Sequence, residues 1–457
     1  MKKTPDKTLN KRFCPWLCYQ TNMGSRWARA RHNGYRDIAS DTECLVVFNA
    51  PLAWERIKRL LSYQYSNGYA PRTFKDGKIQ DKNFSDCTVW LTFAVHAILC
   101  ERGDLSLLSQ PVPYNDGSEA TVYEHLLASV NFLYGFRGLH GLIKIWGGDW
   151  NDCMNLAGLS GRGVSVWLSI AFYRACCQLS EISRWLGEEE NARSCEEKAE
   201  EIRLLVEKYG WDEKGYLIYA YNDEGRKIGA HECREGQIFL NPQTWAVLSG
   251  ITKRERQERA MDCAEAALSY DLGTAVSTPA YTAFDGGIGS MTRKAPGVQE
   301  NGGVYLHAMC WKLAADALLG RRDRVAWDVN RILPFRNPVV AGRAEPYVLC
   351  NSYMGRETGY RYGTPGQSWR TASSQWFLKA MVNYVFGFTP TMAGMALRPC
   401  MPENLGGSCV TKMFRGCTYR VLYRHTGYDR ISVRGKEING ILPYKKGGTV
   451  SVLVEYS

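Results

Sequence analysis

The chain has no apolar run of the roughly 18–20 residues needed to cross a bilayer. Its basic N-terminus, MKKTPDKTLNKRF, is not followed by the apolar stretch of about 7–15 residues that a secretory leader carries. No Cys-x-x-Cys pair occurs among its sixteen cysteines. The nearest approaches are Cys14 with Cys18 and the adjacent Cys176 and Cys177, and neither stands in zinc spacing with a histidine. Low-complexity tracts are missing as well. No long basic block exists, because clusters such as Lys253, Arg254 and Arg256 or Arg321, Arg322 and Arg324 are interrupted by acidic or apolar residues. These absences argue against a membrane span, a disordered or collagen-like chain, a metal site and a nucleic-acid partner. They favour free thiols in a reducing, cytoplasmic setting. The balance of 57 basic against 46 acidic residues, a net +11, is equally compatible with an anionic small substrate.

What is present reads as a large globular protein, with 45% hydrophobic and 23% charged residues over 457 positions. Residues 12–392 read as mainly α. Trp90, Leu91, Ala94, Val95, Ile98 and Leu99 recur at helical spacing and stop near Gly103. A run from Val164 to Leu186 ends at Gly187, and a charged amphipathic segment from Glu188 to Tyr209 ends at Gly210. Asn241-Pro242 reads as an N-cap followed by proline at the first helical position, with Gly250 past the end. Further helical runs cover 255–270, 303–319 and 373–387, for about a dozen helices in all. After residue 393 the pattern changes. Thr418–Tyr423, Arg430–Val433 and Thr449–Val454 cluster β-branched and apolar residues between glycine-rich breaks. The domains are therefore expected at 1–11 (a tail), 12–392 (helical body) and 393–457 (small and β-rich).

Four strings carry candidate chemistry. In Trp146-Gly147-Gly148-Asp149-Trp150-Asn151-Asp152, two carboxylates alternate with indoles. An indole stacks on a pyranose face, and an acid can bond hydroxyls or protonate a glycosidic oxygen. In Gly34-Tyr35-Arg36-Asp37, the charged pair could fork onto sugar hydroxyls, although such a neighbouring pair is more often structural. Glu300-Asn301-Gly302-Gly303 is followed by His307, which falls in the first turn of a helix if one begins after the glycines, where an anion is favoured. Gly366-Gln367-Ser368-Trp369-Arg370-Thr371-Ala372-Ser373 offers hydroxyls and backbone N–H groups at a helix start. That is an anion cradle or simple N-capping.

In this order, together with Asn241-Pro242-Gln243-Thr244-Trp245-Ala246 and Leu397-Arg398-Pro399-Cys400-Met401-Pro402, these strings resemble the inverting glycoside phosphorylases of glycoside hydrolase family 94. That family includes cellobiose, chitobiose and β-1,2-oligoglucan phosphorylases. The resemblance implies an (α/α)6 barrel followed by a small C-terminal β-domain. It implies cleavage of a β-linked gluco-disaccharide or short oligosaccharide by inorganic phosphate, giving an α-sugar 1-phosphate without metal or organic cofactor. Asp152 is implied as the general acid. Arg36, Asp37, Trp150, Asp149, Glu300 and Asn351 are implied in sugar binding, and Arg26, His307, Thr371 and the backbone at Ala372 in phosphate binding. Arg29 and Arg31 are alternatives to Arg26.

A phosphorylase needs one carboxylic acid, because phosphate is already an anionic nucleophile, whereas an inverting hydrolase needs a second carboxylate roughly 6.5–9.5 Å away. Asp152 must be protonated to act, so a pKa raised by burial near Trp150 and by Asp149 is expected. Three departures stand out. Ala372 occupies a position where relatives carry glycine, Asn351 one where many carry glutamine, and no N-terminal β-sandwich precedes the barrel. That last part normally helps form the dimer, so a homodimer is left open and a naturally short or truncated form is expected. Two alternatives follow: an inverting β-glucan hydrolase with Glu300 or Glu345 as base, and an inactive carbohydrate-binding remnant.

Overall fold

The computed structural model describes residues 2–28, 33–75, 77–80 and 83–457. In chain order its α-helices are α1 (Cys14–Met23), α2 (Tyr35–Leu45), α3 (Ala50–Leu61), α4 (Val89–Arg102), α5 (Val122–Gly135), α6 (Val166–Leu186), α7 (Glu189–Tyr209), α8 (Leu240–Ser249), α9 (Arg254–Leu268), α10 (Leu306–Leu318), α11 (Arg322–Ile332) and α12 (Ser373–Lys379). The even-numbered helices touch in sequence, α2 to α4, α4 to α6, α6 to α8, α8 to α10 and α10 to α12, and α12 returns to α2. The odd-numbered helices lie against them: α3 on α2 and α4, α5 on α4 and α6, α7 on α6, α9 on α8, α11 on α10 and α1 on α12. Sequence sorts the two layers. α10 buries twelve of its thirteen residues, whereas α7 buries five of twenty-one along one apolar stripe.

Five fully buried tryptophans, Trp90, Trp167, Trp245, Trp311 and Trp376, come one from each of α4, α6, α8, α10 and α12. Their rings meet at centroid distances of 5.3 Å for Trp167–Trp245 and for Trp245–Trp311, 5.6 Å for Trp90–Trp245 and 5.9 Å for Trp311–Trp376. The middle of the helical ring is thus filled with indole and is not a channel. Truncating one of these rings should cost about 3–5 kcal/mol.

The helix stops at Gly103, Gly187 and Gly250 fall where expected, each glycine in the left-handed region (φ 66°, 79° and 71°). The start of α8 differs from the expectation. The helix begins at Leu240, so Asn241 lies in its first turn and caps nothing. The reason is tertiary: Ile238–Phe239 pairs antiparallel with Ser277–Thr278, and Leu240 N donates to Val276 O at 3.0 Å, so a short sheet fixes the helix start.

The C-terminal region forms a six-stranded sheet in the order Lys2–Lys3, Cys409–Phe414, Cys417–His425, Thr449–Tyr456, Arg430–Val433, Lys436–Glu437. Only Cys417–His425 and Thr449–Tyr456 run parallel. The first residues, expected as a tail, belong to this sheet through Lys2 opposite Val410, and Leu9 and Phe13 enter the core. Lys412 ties sheet to body, donating to Glu101 Oε1 at 2.5 Å and to Val47 O at 3.2 Å. No helix among the described residues is long and apolar enough to cross a membrane.

Candidate active site

The four strings converge at one end of the helical ring, where they line a cavity of about 280 Å³. Arg36 and Asp37 open α2, His307 lies in the first turn of α10 as expected, and Thr371 and Ala372 immediately precede α12. A larger cavity of about 610 Å³ lies near the other ends of these helices. It is lined by Glu43, Arg174 and Lys379 and contains none of the candidate residues.

Two short sheets deliver further groups. Asn33–Gly34 pairs with Thr73–Lys75, and Tyr35 N donates to Arg72 O at 3.1 Å, which sets Arg72 beside the start of α2. Gly34 is needed there, since a Cβ would collide with the Asp37 carboxylate and Arg72 Nη1. The second sheet, Val304–Tyr305, Cys350–Tyr353 and Pro365–Ser368, brings Tyr305, Asn351 and Gln367 to the cavity wall. Asn351 Nδ2 donates to Tyr305 Oη at 2.8 Å.

Asp152 sits between two arginines. Arg36 Nη2 donates to Oδ1 at 2.6 Å and Arg72 Nη2 to Oδ2 at 2.5 Å. Arg36 is itself buried and held by Asp86 (3.1 Å) and by the carbonyl of Asp149 (2.6 Å). Arg72 also donates to Asp37 Oδ2 at 3.4 Å. This corrects the expectation of a raised Asp152 pKa. Burial alone would raise it, but the charges of Arg36 and Arg72 outweigh that effect and hold the carboxyl below its ordinary range. The carboxylate partners of Arg36 are Asp86 and Asp152, while Asp37 is met by Arg72.

Asp149 is not among the cavity-lining residues, contrary to its expected sugar contact. It is fully buried, accepting from Ser165 Oγ (2.6 Å), Tyr219 Oη (2.9 Å) and Asn151 N (2.9 Å), and burial pushes its carboxyl up to about 7. Its role is positional: it pins the turn that presents Trp150 and Asp152. Gly148 (φ 134°) carries that turn past the Phe84 ring. Trp150 lines the cavity with its ring 5.1 Å from Tyr305, 5.7 Å from His307 and 5.1 Å from Trp311, so the tryptophan core is the floor of the site.

Thr371 and Ala372 line the same cavity as His307. Ser373 N donates to Thr371 Oγ1 at 3.0 Å, and the two hydroxyls lie 2.6 Å apart. Ala372 has φ −91°, an ordinary conformation, so the methyl in place of glycine imposes no backbone strain. Arg26 is exposed and is not among the lining residues, and Arg29 and Arg31 lie outside the described residues. Among the described residues the cations at the wall are Arg36, Arg72, Lys294 and Arg370. Sequence reasoning missed Arg72 and Lys294, which stand in no motif. Arg370 stood next to Thr371 inside a string already singled out. Glu300 lines the cavity and is paired with Lys294, whereas Glu345 is exposed and accepts from Ser368 Oγ and Trp369 Nε1 on the adjoining loop.

The family model for the glycosyl hydrolase 94 superfamily, catalytic domain, matches residues 1–387. The chain belongs to this family. Among curated relatives it is similar to a solabiose phosphorylase from Paenibacillus borealis, 35% identical over 446 residues covering 96% of this chain and 58% of that protein. It is also similar to an N,N'-diacetylchitobiose phosphorylase from Vibrio proteolyticus, 30% identical over 99% of this chain and 61% of that protein. The chain therefore spans about three-fifths of the length of these glycosyl hydrolase 94 relatives. Among solved structures, a GH78 family rhamnosidase of Bacillus sp. GL1 matches 100% of this chain and 44% of its own at TM-score 0.59 and 11% identity. A GH63 mannosylglycerate hydrolase from Thermus thermophilus in complex with glucose matches 81% of this chain and 99% of its own at TM-score 0.56 and 13% identity. At such identities these two likenesses concern the fold alone, a mainly helical body.

Proposed function

We propose that the protein is an inverting, phosphate-dependent phosphorylase of a β-linked gluco-disaccharide or short oligosaccharide, releasing an α-sugar 1-phosphate. The carrying observation is the composition of one cavity. Asp152 shares it with an anion cradle of His307, Thr371, the backbone at Ala372 and Arg370, and among the described residues the other lining carboxylates, Asp37 and Glu300, are each paired with a cation. Glu300 is paired with Lys294, and Asp37 shares the Arg72 guanidinium with Asp152. Glu345, the other base considered for a hydrolase, stands outside the lining. The similarity to a solabiose phosphorylase and to an N,N'-diacetylchitobiose phosphorylase supports this reading.

In the reaction, hydroxyls of the donor sugar take up Asp37, Arg36 and Arg72, which loosens the two guanidinium contacts on Asp152 and lets it carry a proton. Trp150 supplies the stacking face. Phosphate, held by His307, Thr371, the N–H at 372 and Arg370, attacks the anomeric carbon from the face opposite the departing oxygen. The bond from that carbon to the glycosidic oxygen breaks as the bond to phosphate forms, and the Asp152 proton passes to the leaving oxygen. Phosphate is a co-substrate, and no step calls for a metal or organic cofactor.

We further read residues 12–392 as an (α/α)6 barrel and 393–457 as a separate β-domain. The closed sequence of contacts among even-numbered helices supports the barrel. A cytoplasmic setting is supported by sixteen free thiols. The proposed reaction is tested by following a β-linked disaccharide and inorganic phosphate by ³¹P and ¹H NMR. An α-configured sugar 1-phosphate that the Asp152→Asn variant fails to form is the expected result. A β-configured product, or undiminished turnover by that variant, would overturn it.

A further inference from the structure

Beside the cavity lies an aromatic cluster that the proposed reaction does not use. Trp16 and Tyr19, three residues apart and so on one face of α1, are 36% and 49% exposed. Their rings lie 5.4 Å apart, and both meet the edge of Trp369, at 6.0 and 6.1 Å. Exposed apolar rings held together on a surface call for an occupant.

Two independent connections fix this cluster to the wall of the cavity. Gln20, buried on α1, donates to Leu349 O at 2.6 Å and accepts from Leu349 N at 2.9 Å, two residues before the lining residue Asn351. Trp369 stands between Gln367 and Arg370, both lining residues. Gln367 and Trp369 have φ of 45° and 70°, a conformation that bulky residues rarely adopt. Glu345 holds it, accepting from Ser368 Oγ and from the Trp369 indole N–H. The loop therefore turns residues 367 and 370 toward the cavity and lodges the ring of 369 against Trp16 and Tyr19.

We propose that Trp16, Tyr19 and Trp369 form a stacking platform for the sugar units of an oligosaccharide that extend beyond the reacting linkage. This rests on the phosphorylase reading above. The cavity, about 280 Å³, is at the small end of ligand sites, which run from about 300 to 1,000 Å³. It holds the residues that flank the scissile bond, so further units must cross the rim. Pyranose faces pack on indole and phenol rings, and hydroxyls at their edges would meet Glu345. Within the proposed substrate class, the platform favours oligosaccharides of three or more units over disaccharides.

The test compares the unaltered protein with the double variant Trp16→Ala, Tyr19→Ala, whose side chains are exposed and outside the catalytic machinery. For phosphorolysis of a disaccharide and of the trisaccharide of the same linkage, kcat/KM of the variant should fall about tenfold on the trisaccharide, a loss of about 1.4 kcal/mol. It should stay within about twofold on the disaccharide. Equal losses on both substrates, or no loss on the trisaccharide, would overturn the platform. Calorimetric titration with cellotriose and laminaritriose, against cellobiose and laminaribiose, reads the same difference without turnover. A failure of the proposed reaction is thus distinguished from a failure of the platform. Absence of trisaccharide binding by the unaltered protein would also overturn it.

Discussion

Arg72 Nη2 donates to Asp152 Oδ2 at 2.5 Å, while Arg36 occupies the other oxygen of the same carboxylate. The general acid proposed for the reaction is therefore held as an anion when no sugar is bound. Its protonation is tied to what the arginines touch: drawing them onto sugar hydroxyls is what readies the acid. In the proposed reaction, substrate binding and acid activation are coupled through two guanidinium groups.

Replacing Arg72 with methionine removes one of the charges that lower the Asp152 pKa. The protonated form then persists to higher pH, so the alkaline limb of the pH profile of kcat/KM should move upward, although the peak value falls because a sugar contact is lost. An unchanged or downward-shifted limb would show that Arg72 does not govern Asp152.

Asp149 makes the opposite prediction, and for stability. Burial raises its carboxyl to about 7, against about 3.9 in an unfolded chain. Between those values the folded state binds more protons than the unfolded state, so stability should fall as pH rises through this window and level off above about 7. Asp149→Asn has no proton to lose. Denaturant melts at several pH values should show a shallower slope for the variant, and parallel slopes would contradict the assignment.

His307 lines the cavity with the residues before α12. The variant His307→Ala should raise KM for phosphate, with a smaller effect on KM for the sugar. Initial rates over a matrix of both substrates check this. A change confined to the sugar would remove His307 from the phosphate site.

Ala372 has φ −91°, so Ala372→Gly should leave KM for phosphate within about twofold and cost about 0.4–1 kcal/mol of stability through the freer unfolded chain. A many-fold gain in phosphate affinity would mean that the methyl, rather than the backbone, obstructs the anion.

Much of this was legible in the sequence where local chemistry dominates. Gly103, Gly187 and Gly250 ended helices because a left-handed residue closes a helix wherever it sits. His307 fell in a first turn because the helix begins shortly after the glycines, once Val304–Tyr305 has paired with Ser352–Tyr353. The misreadings came from tertiary contacts. Asn241 has the identity of a cap, but a strand pair set the start of α8 two residues earlier. Asp149 and Asp152 are three apart in one string, yet one is sealed under Ser165 and Tyr219 while the other opens into the cavity. Arg72 is the clearest omission. It lies 35 residues from Asp37 and 80 from Asp152, and only the pairing of Asn33–Gly34 with Thr73–Lys75 brings it to the site. The tryptophans of α4, α6, α8, α10 and α12 follow no fixed spacing, so the plug they form had no periodic signature.

The central claim is that this cavity uses phosphate where a hydrolase would use water. It is tested most directly by incubating the protein with a panel of β-linked disaccharides and oligoglucans, with and without inorganic phosphate. Sugar 1-phosphate and newly formed reducing ends are then quantified side by side. The account predicts sugar 1-phosphate in equal amount to the released acceptor, and neither product when phosphate is omitted. Free glucose appearing at the same rate in both conditions would contradict it.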